Sequence, residues 1–216
     1  MQTFTPDQLR AAFTAPLPGR TVQYEMAHVV RRSFSAPPPD ARTAAVLILL
    51  FPKDEQWYFS LIQRAGHVGN DAHRGQIGLP GGKIEADDPS PAYAALREAE
   101  EEIGVSCSAV ELLGALTELY IPVSNYIVYP FVGLTNQTPT FVPQESEVER
   151  IYEVPLRELV SPTVRRTTDL PFGERLTLQN VPYFHLQDKV VWGATAMILN
   201  EWVVLLRRAN EQKDAS

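Results

Sequence analysis

The sequence predicts an α/β protein, a sandwich built around a mixed β-sheet, and three features carry that reading. Ala44 to Phe51 is an unbroken apolar run of the kind a strand buried on both faces requires. Ser90 to Gly104 holds a helix start, a packing side and a helix stop. Around them lie short segments of strand character separated by polar turns. The chain has 216 residues, enough for one sizeable α/β domain and short of two ordinary ones.

Residues 1–40 read as an N-terminal arm packed on a domain formed by 41–216. Pro6 to Phe13 suits one short helix, and Ala36-Pro37-Pro38-Pro39 a stiff extended connector. The alternative for the arm is a share in a homodimer contact or a substrate pocket. Arg31 and Arg32 fit solvated positions better than phosphate ligands. After the first strand and the polar turn Lys53-Asp54-Glu55, Trp57 to Gln63 forms a second strand. Arg64 to His73 is a loop rich in Gly, His and Asn, and Gln76 to Leu79 a short strand.

In the helix that follows, Ser90 is the N-cap and Pro91 sits where its missing N–H costs nothing. Gly104 can take the left-handed conformation that ends the last turn. At about 3.6 residues per turn, Ala92, Ala95, Leu96, Ala99 and Ile103 share one side, with Glu98, Glu101 and Glu102 on the adjoining one. Val110 to Tyr120, Tyr126 to Thr135 and Val148 to Val154 read as strands, and Pro155 to Leu159 as a helical turn. Arg175 to Leu178 and Pro182 to Leu186 read as the two arms of a hairpin. Trp192 to Arg208 has helical length and an apolar face, with Arg207 and Arg208 at the end that favours cations.

Composition narrows the function. A hydrophobic content of 44% with 21% charged residues describes a soluble globular chain. The net charge of −7 argues against a general nucleic-acid binder, while leaving room for a local basic pocket that takes a phosphorylated small molecule. The single cysteine, Cys107, excludes an intramolecular disulfide and a zinc–cysteine cluster. With no histidine near it in sequence, it reads as a bystander thiol. Met1-Gln2-Thr3-Phe4-Thr5 lacks the basic start of a signal peptide, and Thr195, Asn200 and Glu201 interrupt the apolar stretch from Val190 to Leu206. The expectation is a cytoplasmic enzyme without a membrane partner.

Chemistry concentrates in Leu79-Pro80-Gly81-Gly82-Lys83-Ile84-Glu85 and Arg97-Glu98-Ala99-Glu100-Glu101-Glu102-Ile103-Gly104-Val105. Four of the five positions from Glu98 to Glu102 are acidic, and like charges at i, i+4 weaken a helix. A solvated acidic face accounts for Glu100, which points away from the other three. For Glu98, Glu101 and Glu102, beside the packed face and the glycine turn, clustered hard oxygens suited to Mg²⁺ or Mn²⁺ are the competing account.

The order of these parts resembles the Nudix box of the Nudix hydrolases: a glycine turn, an acidic loop, then Arg-Glu-x-x-Glu-Glu-x-Gly and an aliphatic residue. The resemblance implies a Nudix-type α/β/α sandwich and metal-dependent hydrolysis of a diphosphate linkage in a nucleoside diphosphate derivative. It implies Glu98 and Glu102 as principal metal ligands and Glu101 as a third or as one bound through water. The Gly82 carbonyl is a further ligand by the same likeness, Gly81 and Gly82 form the turn that meets the diphosphate, and Arg97 holds loop and acids in place. The span from Gly82 to Arg97 is one residue longer than the usual pattern, so Asp87 and Asp88 compete for the loop-acid position.

A second resemblance concerns the substrate. Leu61-Ile62-Gln63-Arg64-Ala65 and His73 to Gly82 look like the signature upstream of the box in coenzyme A pyrophosphatases. Thr117 to Pro122, Glu147-Val148 before Val154-Pro155-Leu156, and Trp192 to Ala196 look like its downstream pattern. The stretch between Arg64 and Gly75 is about two residues longer than that signature, and the signature's middle arginine lacks a clear counterpart. The resemblance implies coenzyme A or acyl-CoA as substrate, ahead of ADP-ribose and dinucleotides.

For the proton acceptor, Glu101, Glu145 and Glu147 are all candidates. Arg64 and Arg74 are candidate phosphate contacts, for which a planar guanidinium is well shaped, and each suits a surface ion pair equally. His73 lies in the upstream signature and can line the site, whereas His28, His67 and His185 suit ordinary surface or core positions. Tyr183 and Phe184 can flank an adenine, although strand packing is the commoner use. Two rivals fail on particular residues. A regulatory nucleotide-binding module predicts eroded box acids, and an isomerase on the same fold requires a well-placed cysteine nucleophile.

Overall fold

The structure, a computed structural model, describes residues 4–29, 36–65, 75–172 and 176–214. In chain order the first half comprises α1 (Pro6–Ala11), α2 (Arg20–Tyr24), β1 (Arg42–Lys53), β2 (Gln56–Arg64), β3 (Ile77–Gly78), β4 (Gly81–Lys83) and α3 (Pro91–Ile103). The second half comprises β5 (Glu111–Ala115), β6 (Leu119–Ile121), β7 (Tyr126–Leu134), β8 (Val148–Pro155), α4 (Leu156–Val160), β9 (Arg165–Phe172), β10 (Leu176–Leu186), β11 (Lys189–Trp192) and α5 (Gly193–Asp214). Arg31 and Arg32 lie outside the described residues.

β1 is the spine of a mixed sheet. It runs parallel to β7 from Arg42 to Leu50, and antiparallel to β2 at one end and to β4 at the other. β8 flanks β2, and β5 flanks β7. The apolar run in β1 has no polar alternation because both of its faces are covered. Ala45, Leu47 and Leu49 pack with Ala94, Ala95, Ala99 and Ile103 of α3. Ile48 and Leu50 join the opposite core with Leu199, Trp202 and Leu206 of α5. This is the expected α/β/α sandwich. A second, antiparallel sheet of β9, β10 and β11 stands beside it.

Local signals act in α3 as expected. The Ser90 side chain accepts from the Tyr93 amide, and Gly104 ends the helix at φ 73°. Ala94 takes the buried place that helical spacing assigned to Ala92, which is half-buried. Three other expectations are corrected. Pro6 to Phe13 is not one helix, since α1 ends at Ala11 and a 3₁₀ turn, Ala12–Thr14, follows. Val110 to Tyr120 is not one strand: the Thr117 amide and hydroxyl both turn to the Glu201 carboxylate, which separates β5 from β6. Leu176–Leu178 and Pro182–Leu186 are not hairpin partners but parts of the single strand β10, which pairs with β9 and β11. The apparent turn between them is an irregularity between Leu178 and Val181, with Asn180 at φ 54°.

The N-terminal segment is tied to α5 by polar groups as well as by Leu9, Ala12 and Met26 in the core. Fully buried Glu201 accepts from the Gly19 amide (3.0 Å), Gln23 Nε2 (2.8 Å) and the Thr117 amide (3.0 Å), besides the Thr117 hydroxyl. Asn200 donates to the Val22 carbonyl at 2.7 Å. Phe13 stacks on Trp202 and covers Gly114, where a Cβ would lie 2.8 Å from ring carbons.

Candidate active site

β4 and α3 build the site together. β4 is pinned to the N-terminal half of β1, and α3 crosses that part of the sheet, so the glycine turn and the acidic face of the helix meet. Contact is direct at both glycines. The Gly81 amide donates to Glu102 Oε2 at 2.7 Å. The Glu98 carboxylate occupies the space where a Cβ on Gly82 would stand, with its Cδ only 2.5 Å from that point. Glycine is favoured at 82 by this close approach and not by its dihedral angles, since Gly82 is outside the left-handed region.

Arg97 organises the acids. Its Nε and Nη2 donate to the two oxygens of Asp88 at 2.9 Å each, and Nη2 also reaches the Lys83 carbonyl at 3.1 Å. Its Nη1 donates to Glu98 Oε1 at 2.8 Å and to Glu101 Oε2 at 3.1 Å. The bidentate pair with Asp88 decides between the two loop acids, because Asp87 is exposed while the Asp88 side chain is 2% exposed. Asp88 is held further by the Glu85 amide at 2.8 Å. Arg97, first, and then this amide keep the Asp88 carboxyl below the usual range against the cost of its burial. Asp88, and then Glu98, raise Arg97 further above the range in which it could lose its proton.

The other acids are perturbed upward. Burial pushes Glu102 up to about 7, with the charges of Glu98 and Glu147 adding and the Gly81 amide and Arg64 opposing. Burial also raises Glu98, with Glu101 and Glu147 adding and Arg97 opposing. Crowded, desolvated carboxylates of this kind repel one another until a proton or a cation intervenes. Glu100 is turned away as expected, accepting from the Cys107 amide at 2.8 Å. Burial raises the Cys107 thiol to about 11, so it stays protonated at neutral pH and fits its bystander reading.

The remaining expected site residues divide. Arg64 lies with its Nη1 3.5 Å from Glu102 Oε1. Glu147 is brought to the same end of β2, its carbonyl accepting from the Ala65 amide at 2.7 Å, and its charge acts on both Glu98 and Glu102. Glu145 and Glu147 are both exposed. His73 and Arg74, with His67, lie outside the described residues. Phe184 belongs to the core and Tyr183 is buried beside it, which favours packing over a stacked base. Helical spacing could not have found the Asp88 clamp or the Gly82–Glu98 contact, since each joins the helix to a residue before or within the acidic loop.

Among the described residues no three His, Cys, Asp or Glu side chains converge closely enough to hold a metal ion as they stand. Glu98 and Glu101 are turned onto Arg97, and Glu102 onto the Gly81 amide. The donors nonetheless fit a hard divalent cation. They are oxygens only, they are partly desolvated, and the raised Glu98 and Glu102 are the groups a cation would relieve.

Comparison with known proteins agrees with this geometry. A family model described as the NUDIX domain matches residues 41–176. The Nudix hydrolase NudL of Yersinia pestis (strain Pestoides F), itself described as uncharacterised, is 36% identical over 159 residues, spanning 73% of this chain and 76% of its own length. NudL of Yersinia pseudotuberculosis serotype O:1b (strain IP 31758) gives the same figures. Among solved structures, the Nudix hydrolase RenU from M. smegmatis aligns with 81% of this chain and 87% of its own, with a TM-score of 0.51 at 16% identity, a likeness of fold alone. No helix among the described residues is long and apolar enough to cross a membrane. With the family model covering more than half of the sequence and relatives above 30% identity, the chain belongs to the Nudix hydrolases, which act on pyrophosphate bonds in nucleoside diphosphate derivatives and generally use divalent metal ions.

Proposed function

We propose that this enzyme hydrolyses the diphosphate linkage of coenzyme A or acyl-CoA, giving 3′,5′-ADP and 4′-phosphopantetheine or its acyl form, with Mg²⁺ or Mn²⁺ as cofactor. The observation that carries the catalytic half is the meeting of Glu98 and Glu102 with the glycine turn under the Arg97 clamp. The coenzyme A half is supported by the Leu61–Ala65, His73–Gly82 and Trp192–Ala196 patterns.

In this reading Glu98, Glu102 and the Gly82 carbonyl would hold the cation, with Glu101 completing the set. When bound, the cation neutralises diphosphate charge and polarises the phosphoryl oxygens. Arg97 keeps Glu98 and Glu101 oriented through its anchor on Asp88. Arg64, already beside Glu102, meets the substrate's phosphate. Glu147 takes the proton of the attacking water. The water oxygen forms the new P–O bond, and the bridging oxygen leaves with the other phosphoryl group. Glu147 is preferred to Glu145 because its charge acts on Glu98 and Glu102, and to Glu101 because this reading gives that carboxylate to the cation.

The test is product analysis with coenzyme A, ADP-ribose and diadenosine polyphosphates side by side, each with Mg²⁺, Mn²⁺ and chelator. Release of 3′,5′-ADP from coenzyme A, abolished by chelator, is the expected result. Cleavage confined to another substrate removes the coenzyme A reading and leaves the hydrolase intact.

A further inference from the structure

The last carbonyls of a helix need partners from outside it, and in α3 they find them in the chain from Val142 to Glu147. The Val142 amide donates to the Ile103 carbonyl at 3.0 Å, and the Gln144 amide to the Glu102 carbonyl at 3.0 Å. The fit is close at Gly104, where a Cβ would stand 2.9 Å from Val142 Cβ and 3.2 Å from its amide nitrogen and carbonyl oxygen. Val142 itself is 61% exposed, so main-chain bonding, not apolar packing, holds this segment down. Beyond Gln144 the chain turns back, its carbonyl accepting from the amides of Glu147 (2.9 Å) and Val148 (2.8 Å). The far end is fastened to β2 through the bond from the Ala65 amide to the Glu147 carbonyl, next to Arg64, which sits across from Val148.

Glu102 is therefore attached twice. Its carboxylate accepts from the Gly81 amide and its main-chain carbonyl accepts from the Gln144 amide. The same residue fixes the glycine turn on one side and the segment that delivers Glu147 on the other. We infer that docking of the 142–147 segment on the end of α3 positions Glu147 against Glu98 and Glu102, which makes the Gln144 amide and Gly104 positioning elements for the reaction. Gly104 thus has a second duty besides ending the helix: it leaves room for the Val142 main chain. The inference rests on the reading of Glu147 as proton acceptor.

The experiment is a double-mutant cycle on kcat and KM with coenzyme A and Mg²⁺, or with ADP-ribose if that is the substrate cleaved. Gln144→Pro removes the amide that holds the Glu102 carbonyl. Glu147→Gln removes the acceptor and is expected to lower kcat by about 10²- to 10⁴-fold. Gln144→Pro alone is expected to lower kcat by on the order of 10²-fold, the scale of a misplacement of about 1 Å, with KM little changed. Added to Glu147→Gln it is expected to cost nothing further, because the group it positions is already gone. An equal loss from Gln144→Pro with and without Glu147 overturns the inference and leaves the role of Glu147 standing. Wild-type turnover by Glu147→Gln overturns the proton-acceptor reading and the inference with it. Should Gln144→Pro fail to fold by circular dichroism, Gly104→Ala, whose Cβ would press on Val142 and strain the left-handed stop of the helix, takes its place in the same cycle.

Discussion

Gly82→Ala separates activity from stability. A Cβ at 82 would lie 2.5 Å from Glu98 Cδ and 2.8 Å from Oε1, so the carboxylate must retreat by about 1 Å to reach ordinary contact at 3.4 Å. What has to move is the far end of a flexible side chain, and Gly82 has no left-handed dihedral that alanine would strain. The fold should hardly notice. The chemistry should, because displacement of a reacting-centre group by about 1 Å can cost on the order of 10²-fold in rate, or about 2.7 kcal/mol of barrier. Gly81→Ala supplies the contrast. Its Cβ would stand 2.6 Å from Val46 Cα and closer still to the Ala45 carbonyl, and φ at 81 is 147°. There the obstacle is the backbone of β1, and the whole β1–β4 pairing must give way. The assay is thermal melting in chelator for both variants beside kcat as a function of Mg²⁺ concentration. The expected outcome is a wild-type melting temperature with strongly reduced turnover for Gly82→Ala, and a lowered melting temperature for Gly81→Ala. Wild-type turnover by Gly82→Ala at the same Mg²⁺ requirement would refute the placement of Glu98 on the turn.

Three further expectations concern neighbouring groups. Glu102→Gln should fold and lose most metal-dependent turnover, and it should also change the dependence of stability on pH. Because burial raises Glu102 from 4.5 to about 7 in the folded protein, its contribution is fully present below pH 4.5 and is lost as pH rises through 7. In chelator the variant should therefore gain on the wild type by up to about 3 kcal/mol between pH 4.5 and pH 8, and a gap in denaturant stability that stays constant with pH would contradict the burial argument. Asp88→Asn should lower both melting temperature and kcat by loosening Arg97, while Asp87→Asn should leave both at wild-type values; equal effects would return the loop-acid position to open competition. Glu201→Gln places an amide donor among the Gly19, Gln23 and Thr117 donors and should cost about 1–3 kcal/mol by chemical denaturation, with turnover per folded molecule unchanged.

Features set by neighbours along the chain were legible in the sequence. Ser90, Pro91 and Gly104 act within a few residues of their own positions, and α3 begins and ends where they place it. Features set by partners far along the chain were not. Thr117 has strand-compatible neighbours on both sides, and only the approach of Glu201, 84 residues later, draws its amide out of the ladder. Glu201 in turn reads in sequence as a polar interruption of an apolar helix, when it is the residue that ties that helix to Gly19 and Gln23. β10 misled for the converse reason: Asn180 has the composition and φ of a turn residue, yet partners in β9 on either side of the irregularity carry the strand past it.

The acids of the site show where that division falls within one motif. Residue type and helical spacing are enough to put Glu98, Glu101 and Glu102 on one side of α3, but they treat the three alike. The structure makes them different, with Glu102 1% exposed at the Gly81 amide, Glu98 pressed against Gly82, and the Glu101 side chain 58% exposed on the outer edge of Arg97. What distinguishes them is the position of β4, and that depends on its pairing with Ala44–Val46 some forty residues earlier in the chain. The same pairing decides the loop acid. With Lys83 fixed in β4, the Glu85 amide bonds the Asp88 side chain while the Asp88 amide bonds the Glu85 carbonyl. This reciprocal turn presents Asp88, and not Asp87, to Arg97. The distance between the glycine turn and the helical acids is set by the sheet and not by the length of the chain that joins them.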